Sequence, residues 1–270
     1  MKNDRSLSKV TMLSAAIANE HRIRLKPSPT THESISKLFR GFRLSQPSGL
    51  CRTPKLPFTE EQIRQLIDKL REPVHGPDSI KASVVLWRTV WRVVIEYHTL
   101  GRFSDVARLT RREVIFCNNP SKHLQITFKG GKNDLFSEGG LRVVAGNLEE
   151  PRYCPVELTA HYFRFLGSNH LGYLVPACTP TNKPDPLKAL PYHGALSDLQ
   201  NLLTSLGFDA QLYGEHSGKR GAAAQAAENG MDSDSLQRLG GWRSEQMAAK
   251  YVDQSTESKI KLSKMLQTRL

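Results

Sequence analysis

Long apolar runs and paired cysteines are both missing from this sequence, and each absence excludes a class of protein. No apolar run in the 270 residues approaches the roughly 18 residues that cross a membrane, and the first residues show no apolar signal-peptide segment. No C-x-x-C pair is present, so no metal site is expected; the four scattered cysteines are Cys51, Cys117, Cys154 and Cys178. We therefore expect an intracellular protein with reduced thiols and no membrane partner, nuclear in a eukaryotic host and cytoplasmic in a bacterial one.

Acidic residues are also few in comparison with basic ones. The sequence has 38 Lys and Arg against 26 Asp and Glu, a net charge of +12. Residues 1–58 hold 11 basic and 3 acidic side chains, so this segment is more basic than the rest of the chain. A charge excess of this kind favours a polyanionic partner, and we expect nucleic acid rather than an anionic membrane.

The apolar periodicity predicts an α+β fold made mainly of helices. Residues 44–57 hold three prolines and a glycine, which is typical of a linker. Thr59 and Gln62 have the spacing of a capping box at the start of the next helix. Alternating residues predict strands at 123–128 and 141–145, joined by a glycine-rich tip into one small antiparallel sheet. Helices are predicted at 8–21, 32–43, 58–70, 80–98, 103–114, 155–166, 194–206, 217–229, 232–239, 244–253 and 256–268.

Five residues fall at the boundaries of predicted elements and could carry chemistry. Taken singly, each has an ordinary structural interpretation: a solvated arginine, a turn lysine, a helix-terminal histidine and two core aromatics. They are Arg102 in GRFSDVARL, Lys129 in FKGGK, His216 in EHSGKRGAA, Trp242 in GGWRSE and Tyr251 in AAKYVD.

In this order and setting, the five residues resemble the tyrosine recombinase (phage integrase) family over about residues 56–255. GRFSDVARL resembles the box around the family's first catalytic arginine, with Asp105 at the position of a supporting acid. FKGGK resembles the hairpin that carries the catalytic lysine, and EHSGKRGAAAQAAENG resembles the H-x-x-R box. GGWRSEQMAAKYV resembles a Cre-like ending, in which tryptophan replaces the more usual histidine. The last two motifs also resemble recombinases of eukaryotic DIRS-type and Crypton-type mobile elements.

The second box departs from the family pattern at one position. Lysine stands at position 219, where the H-x-x-R pattern has arginine, and Arg220 is the next residue. A shift of one residue along a helix rotates the side chain by about 100°, so we expect Lys219 rather than Arg220 to face the site. Lysine keeps the positive charge but lacks the planar guanidinium that can hold a phosphate through two hydrogen bonds.

The resemblance implies a chemistry that needs no ATP, no metal and no other cofactor. Tyr251 attacks the phosphorus of a DNA phosphodiester and forms a 3′-phosphotyrosine, which preserves the energy of the broken bond. Arg102 clamps the phosphate as negative charge develops on it, and Trp242 donates its indole N–H to a phosphate oxygen. Lys129 protonates the leaving 5′ oxygen. Lys219 and His216 help Arg102 to hold the phosphate, with Asp105 and Arg220 in supporting roles.

The resemblance also implies a domain division and a DNA partner. Residues 1–48 are similar to the last part of the family's helical core-binding domain, residues 49–57 to its linker and residues 58–270 to its catalytic domain, so we expect a fragment of a longer protein. The segment 22–55 is expected to grip the duplex backbone without specifying sequence, and a merely solvated surface is the alternative. The candidates for contacts with double-stranded DNA are Arg22, Arg24, Lys26, Lys37, Arg40, Arg43, Arg52 and Lys55.

The last helical pattern, at 256–268, is basic and amphipathic. In the family a C-terminal helix commonly docks into a neighbouring subunit, which implies a homo-oligomer, a tetramer on DNA. Packing of this helix within its own subunit is an equal alternative.

Three functions fit these observations. The first is an active site-specific recombinase or integrase. The second is a recombinase-derived DNA-binding protein whose activity is weak or absent because of Lys219. The third is a type IB topoisomerase, which shares the tyrosine chemistry. Retention of Arg102, Lys129, His216 and Tyr251 favours activity, and the hairpin and the Cre-like ending favour a recombinase.

Overall fold

The computed structural model describes residues 7–45, 55–75, 79–129, 140–242, 244–254, 259–260 and 263–264. The chain divides into two compact units, Met1–Pro54 and Lys55–Leu270. The boundary between them falls inside the segment 49–57, where the sequence predicts a linker. The tip of the predicted hairpin and most of the predicted helix 256–268 lie outside the described residues.

The described part of the first unit consists of two helices, α1 (Leu7–Ile23) and α2 (Glu33–Ser45), with a 3-10 turn at Pro29–Thr31 between them. Both predicted helices are therefore confirmed. None of the described side chains between residues 9 and 42 is buried. Within this unit the two helices thus present a largely solvated surface.

Helices make up most of the second unit, and one of them, α4 (Ser79–Thr99), belongs to both of its apolar cores. Val90, Trp91 and Ile95 of this helix are fully buried. The other helices are α3 (Glu60–Lys69), α5 (Phe103–Val106), α6 (Pro155–Leu166), α7 (Tyr192–Ser205), α8 (Ser217–Glu228), α9 (Ser233–Gly240) and α10 (Glu245–Gln254). The predicted bounds agree to within two residues for α4 and for every helix from α6 to α10.

The start of α3 is fixed by the predicted capping box. The Gln62 N–H donates to Thr59 Oγ1 at 3.2 Å, and the Thr59 N–H donates to Gln62 Oε1 at 3.0 Å. Two backbone N–H groups that the helix leaves without partners are satisfied in this way, and such a cap contributes about 1 kcal/mol. The cap directs Leu66 and Ile67 of α3 into the core, where both are buried.

The first sheet is antiparallel, with strands β1 (Val114–Cys117), β2 (His123–Phe128) and β3 (Gly140–Ala145) in that order. The strands predicted at 123–128 and 141–145 are confirmed. Leu124 and Ile126 of β2 are fully buried, so alternate residues of this strand form the inner face of the sheet.

Two expectations about the fold are wrong. The helix predicted at 103–114 stops at Val106, because the apolar residues that begin at Val114 pair with β2 as a strand. The sheet is also accompanied by a second one, in which β4 (Pro176–Cys178) pairs with β5 (Pro184–Ala189). Both strands contain prolines, which lower strand propensity, so the sequence pattern did not predict them.

Candidate active site

Arg102 stands at the start of α5, directly after Gly101. The Arg102 N–H donates to Asp105 Oδ2 at 3.1 Å, and the Asp105 N–H donates to the Arg102 carbonyl at 2.9 Å. Gly101 has no room for a side chain, since an added Cβ would lie 2.8 Å from Thr99 Oγ1 and 3.2 Å from the Phe128 ring. Among the described residues, the half-buried guanidinium of Arg102 has no hydrogen-bond or ion-pair partner. The first box therefore holds a free arginine close to the end of β2.

His216 immediately precedes α8, and the positive charge of Arg102 acts on its imidazole ring. Partial desolvation lowers the pKa of His216, and the positive charges of Arg102, Lys219 and Arg220 lower it further. Charges influence each other in this way only over short distances, because solvent and salt screen them beyond about 10 Å. The first and second boxes therefore meet in one cationic region, where His216 is held toward its neutral form.

Lys219 is buried beside this region. Its Nζ donates to the carbonyl oxygen of Gly240 at 3.1 Å and lies 4.6 Å from the centroid of the Trp242 ring. Burial lowers the pKa of Lys219 to about 8; the positive charge of Arg102 acts in the same direction, and the carboxylate of Asp105 opposes it. Lys219 therefore loses its proton in a pH range where most lysines are fully charged.

The side chain of Arg220 points toward Lys55, whereas that of Lys219 points toward Trp242. Its Nη1 donates to the backbone carbonyl of Lys55. The next residue, Gly221, packs so closely on Phe58 that an added Cβ would lie 2.0 Å from the Phe58 carbonyl oxygen. The start of the second unit thus covers this side of α8, and it is Lys219, one residue earlier, that faces Trp242.

Trp242 and Tyr251 stack on each other, with ring centroids 5.7 Å apart and ring planes at 21°. Trp242 follows Gly241, which ends α9 in the left-handed region at φ 59°. The Trp242 carbonyl accepts a hydrogen bond from Gln237 Nε2 at 3.0 Å. Tyr251 lies in α10 and is half-buried. Lys219, Trp242 and Tyr251 therefore form one continuous set of contacts.

Lys129 follows the last residue of β2 and is paired with Glu113. Its Nζ lies 3.0 Å from Glu113 Oε1, and its side chain is 67% exposed. Burial opposes ionisation of Glu113, but hydrogen bonds from Thr110 and Lys129 outweigh burial and lower the pKa of its carboxyl group. Because the neighbouring Phe128 packs against Gly101, Lys129 leaves the sheet near the first box. Its ammonium contacts none of the other candidate residues in the described structure.

The sequence interpretation missed Arg142 of β3, which lies in the same electrostatic environment. The positive charge of Arg142 lowers the pKa of Lys219. Burial lowers the pKa of Arg142 itself, and the carboxylate of Asp105 opposes this effect. The available signal was an arginine in the middle of the strand LRVVA, with apolar residues on both sides.

A buried ionic triad behind the second box was also missed. Arg92 of α4 donates through Nη1 to Glu96 Oε1 at 2.9 Å and to a carboxylate oxygen of Glu215. Burial raises the pKa of Glu96 to about 8, against the influence of Arg92 and with that of Glu215. Since Glu215 precedes His216, the triad ties the start of α8 to α4. The signal was an Arg–Glu pair four residues apart in an apolar helix.

The candidate DNA contacts lie mainly in the first unit. Arg24 is paired with Glu20 at 2.6 Å, and Lys37 with Glu33 at 2.9 Å. Other candidates are exposed on the two helices or their connection: Arg22, Lys26 and Arg40. Lys55, in the second unit, donates to the carbonyl oxygen of Gln211. Arg43 lies in α2, and Arg52 is outside the described residues. Their role in DNA binding stays a prediction.

The described residues form neither a metal-ligand cluster nor a membrane-spanning helix. In this part of the chain, no three His, Cys, Asp or Glu side chains lie close enough together to hold a metal ion. Likewise, none of the described helices has the length and apolar character needed to cross a bilayer.

The sequence itself matches no family model and no curated protein. The structure, however, is similar to solved structures of recombinases and integrases. XerA recombinase superposes with a TM-score of 0.53 at 16% identity, over 100% of this chain and 86% of that one. XerH site-specific recombinase, bound to palindromic difH substrate in a post-cleavage complex, superposes with a TM-score of 0.57 at 11% identity, over 95% and 71%.

A third similar structure is the Tn1549 transposon integrase in complex with circular intermediate DNA. It superposes with a TM-score of 0.56 at 15% identity, over 98% of this chain and 81% of that one. At such identities the likeness shows the fold alone. The chain has the mainly helical fold of the tyrosine recombinase catalytic domain, with small antiparallel sheets.

Proposed function

We propose that this protein is a site-specific recombinase or integrase that breaks and rejoins DNA through a phosphotyrosine on Tyr251. The proposal rests on two observations. Lys219 contacts the Trp242 ring, which stacks on Tyr251, and the positive charge of Arg102 lowers the pKa of Lys219. The residues that the resemblance singles out come from the start of α5, from α8, from the α9–α10 turn and from α10. A structural role alone does not explain why the charges of Arg102 and Lys219, from separate elements, act on each other beside Trp242, the ring that stacks on Tyr251.

In the proposed cleavage step, Tyr251 Oη attacks the phosphorus of a scissile phosphodiester. A bond forms between that oxygen and phosphorus, and the bond from phosphorus to the 5′ oxygen breaks. His216, which is held toward its neutral form, is suited to accept the phenol proton. Lys129 gives a proton to the departing 5′ oxygen, after leaving its ion pair with Glu113. Attack by a second 5′ hydroxyl on the phosphotyrosine reverses the step and joins the new strand.

Cations around the phosphorus supply the stabilisation in this scheme. The pentavalent intermediate carries more negative charge than the phosphodiester, so fixed positive donors lower its free energy more than that of the ground state. Arg102 is prepared for this role, since no described carboxylate competes for its guanidinium. Trp242 adds an indole N–H beside the nucleophile.

The second candidate function is that of a DNA-binding protein derived from a recombinase, with weak or no cleavage. One observation favours it. Lys219 replaces an arginine, and its ammonium is already engaged by the Gly240 carbonyl and the Trp242 ring rather than left free for a phosphate.

We further propose that the protein acts on double-stranded DNA as a homo-oligomer, a tetramer, through the segment 256–268. A cavity of about 480 Å³ between α8, α9 and the end of α4 could receive the apolar face of such a helix from another copy. Apolar residues line it in part, including Leu100, Met231 and Leu239. Removal of residues 256–270 should then reduce the mass of the complex on DNA, measured by light scattering.

The origin and location of the protein are also proposals. The likeness of two of its motifs to those of DIRS-type and Crypton-type recombinases supports a mobile element. On that basis we place the protein in the nucleus of a eukaryotic host, or in the cytoplasm if the host is bacterial.

One experiment separates the two candidate functions. Duplexes that the protein binds are selected from a random pool, and nicked suicide substrates are made from them, so that cleavage traps a covalent adduct. We expect an adduct with the wild-type protein and none with Tyr251→Phe, while DNA affinity stays the same. Peptide mapping should place the DNA on Tyr251, with Tyr97 and Tyr213 unmodified. Tight binding without any adduct would favour the DNA-binding function.

A further inference from the structure

The strand β3 has its charged residue on the inner face of the sheet. Leu141 and Val143 are 57% and 50% exposed, so the apolar side chains on either side of Arg142 point outward. Arg142 lies opposite Ile126 of β2, which is fully buried, and residues opposite each other in an antiparallel pair share a face. The sheet therefore carries an arginine where its pattern calls for a core residue.

The guanidinium of Arg142 reaches the turn between α9 and α10. An added Cβ on Gly241 would lie 2.1 Å from Arg142 Nη2, so the guanidinium lies directly on the backbone of this glycine. From the other side, Lys219 Nζ donates to the carbonyl of the preceding residue, Gly240, at 3.1 Å. Arg142 and Lys219 thus approach the same turn, next to Trp242.

Hydrogen bonding leaves the Arg142 guanidinium incompletely satisfied. Nη1 donates to the carbonyl of Leu141 at 3.0 Å, and Nε is buried without a partner. Within the described chain Arg142 forms no ion pair. A half-buried guanidinium that lacks a carboxylate is unfavourable unless an anion completes its surroundings.

We propose that Arg142 supplies the guanidinium that is missing from the second box. In this proposal, which rests on the proposed function, Arg142 contacts a non-bridging oxygen of the scissile phosphate. Lys219 acts as a positioning residue that holds the Gly240–Trp242 turn. The lysine at position 219 then no longer implies a loss of activity, because an arginine from β3 brings the planar donor to the same place.

The test compares single-turnover cleavage of the suicide substrate by matched variants. Arg142→Ala should cleave about a hundredfold more slowly, as expected for the loss of one fixed donor, and bind DNA within about twofold of wild type. The control Lys188→Ala removes an exposed cation from β5 and should cleave like wild type. Arg142→Lys keeps the charge without the planar fork, so it should also be slow. A cleavage rate for Arg142→Ala within threefold of wild type overturns the proposal.

A neutral phosphate separates a role at the phosphate from a structural one. When a methylphosphonate replaces the scissile phosphate, the transition state carries less charge, and the defect of Arg142→Ala should shrink at least tenfold. The double variant Arg142→Ala/Lys219→Arg, which returns a guanidinium to the second box, should recover part of the lost rate with the normal substrate. A defect of equal size on both substrates, with no recovery in the double variant, would show that Arg142 only supports the fold.

A binding measurement tests Arg142 even if no DNA is cleaved. Inorganic phosphate is titrated into the full chain while the indole N–H signal of Trp242 is followed by NMR. Arg142→Ala should weaken the apparent affinity at least fivefold, and Lys188→Ala should leave it unchanged. Equal phosphate affinity in wild type and Arg142→Ala overturns the inference, whereas the lack of any adduct with wild type counts only against the proposed function.

Discussion

The ammonium of Lys219 lies 4.6 Å from the centre of the Trp242 ring and donates to the Gly240 carbonyl at the same time. A cation–π contact strengthens as the cation loses water, and Lys219 is buried. The contact exists only while the amine is protonated, and burial lowers the pKa of Lys219 to about 8. One of the two contacts that Lys219 makes with this turn, the one with the Trp242 ring, therefore depends on pH.

The first prediction concerns the pH dependence of cleavage. Because the pKa of Lys219 is lowered to about 8, its positive charge is lost as the pH rises through that value. The single-turnover rate of the wild type should fall above about pH 8. Lys219→Arg stays protonated and should keep its rate to higher pH, whereas Arg220→Ala should follow the wild-type curve. A wild-type profile that stays flat to pH 9.5, or one that Lys219→Arg does not change, contradicts this role.

The second prediction concerns Lys129 as a general acid. Lys129→Ala should slow cleavage by about a hundredfold, since the leaving 5′ oxygen then departs without a proton. A substrate whose 5′ bridging oxygen is replaced by sulfur should restore the rate, because a thiolate leaves without protonation. Arg102→Ala should stay slow on the sulfur substrate. Equal defects of Lys129→Ala on both substrates would exclude proton donation by Lys129.

The third prediction concerns the triad Arg92–Glu96–Glu215 and protein stability. Burial raises the pKa of Glu96 to about 8, well above the 4.5 of the unfolded chain. A carboxyl group with a raised folded-state pKa contributes stability that is fully present below about pH 4.5 and is lost as the pH rises through about 8. Glu96→Gln should therefore be more stable than wild type at pH 9 by at least about 1 kcal/mol.

Urea unfolding at pH 5, 7 and 9 measures this effect. Glu72→Gln, a change at an exposed ion pair with Lys69, serves as the control and should show the pH dependence of the wild type. Parallel curves for Glu96→Gln and wild type would mean that Glu96 is ionised to the same extent in the folded and unfolded chains.

The fourth prediction concerns the basic first unit. Each phosphate neutralised by Lys or Arg releases condensed counterions, so log affinity falls linearly with log salt. The triple variant Arg22→Ala/Lys26→Ala/Arg40→Ala should reduce this slope by roughly one for each phosphate that is no longer neutralised. Arg24→Ala/Lys37→Ala should change it less, because Glu20 and Glu33 already hold these two side chains. An unchanged slope in the triple variant would show that α1 and α2 do not bind the duplex.

The sequence correctly predicted those helices and strands whose own residues show a clear apolar pattern. β2 alternates over its full length, and α4 is long and apolar, so both are found close to their actual bounds. The prediction failed for the stretch after Val106 because β1 has only four residues, all of them apolar, so its own pattern does not alternate as a strand does. The strands β4 and β5 were missed because β4 is only three residues long and both strands contain prolines, which argue against a sheet.

Short motifs predicted which side chains could lie close together, and the roles of those side chains stay predictions. The spacing of the second box placed Lys219 rather than Arg220 toward Trp242, because helical geometry fixes which residues share a face. Arg142 could not be found in this way. Its direction follows from the register of β3 on β2, and its neighbour Gly241 is about a hundred residues away in sequence.

The helix α4 contributes side chains to both apolar cores of the second unit, and this affects how the unit unfolds. Val90 and Tyr97 pack in one apolar core, and Trp91 and Ile95 pack in the other. Because successive residues of this one helix serve both cores, displacing α4 from one core also disturbs the other. We therefore expect the two cores of the second unit to unfold together, and with them the contact between Arg92 of α4 and Glu215, which precedes α8. The second box is thus held in place only while α4 stays packed.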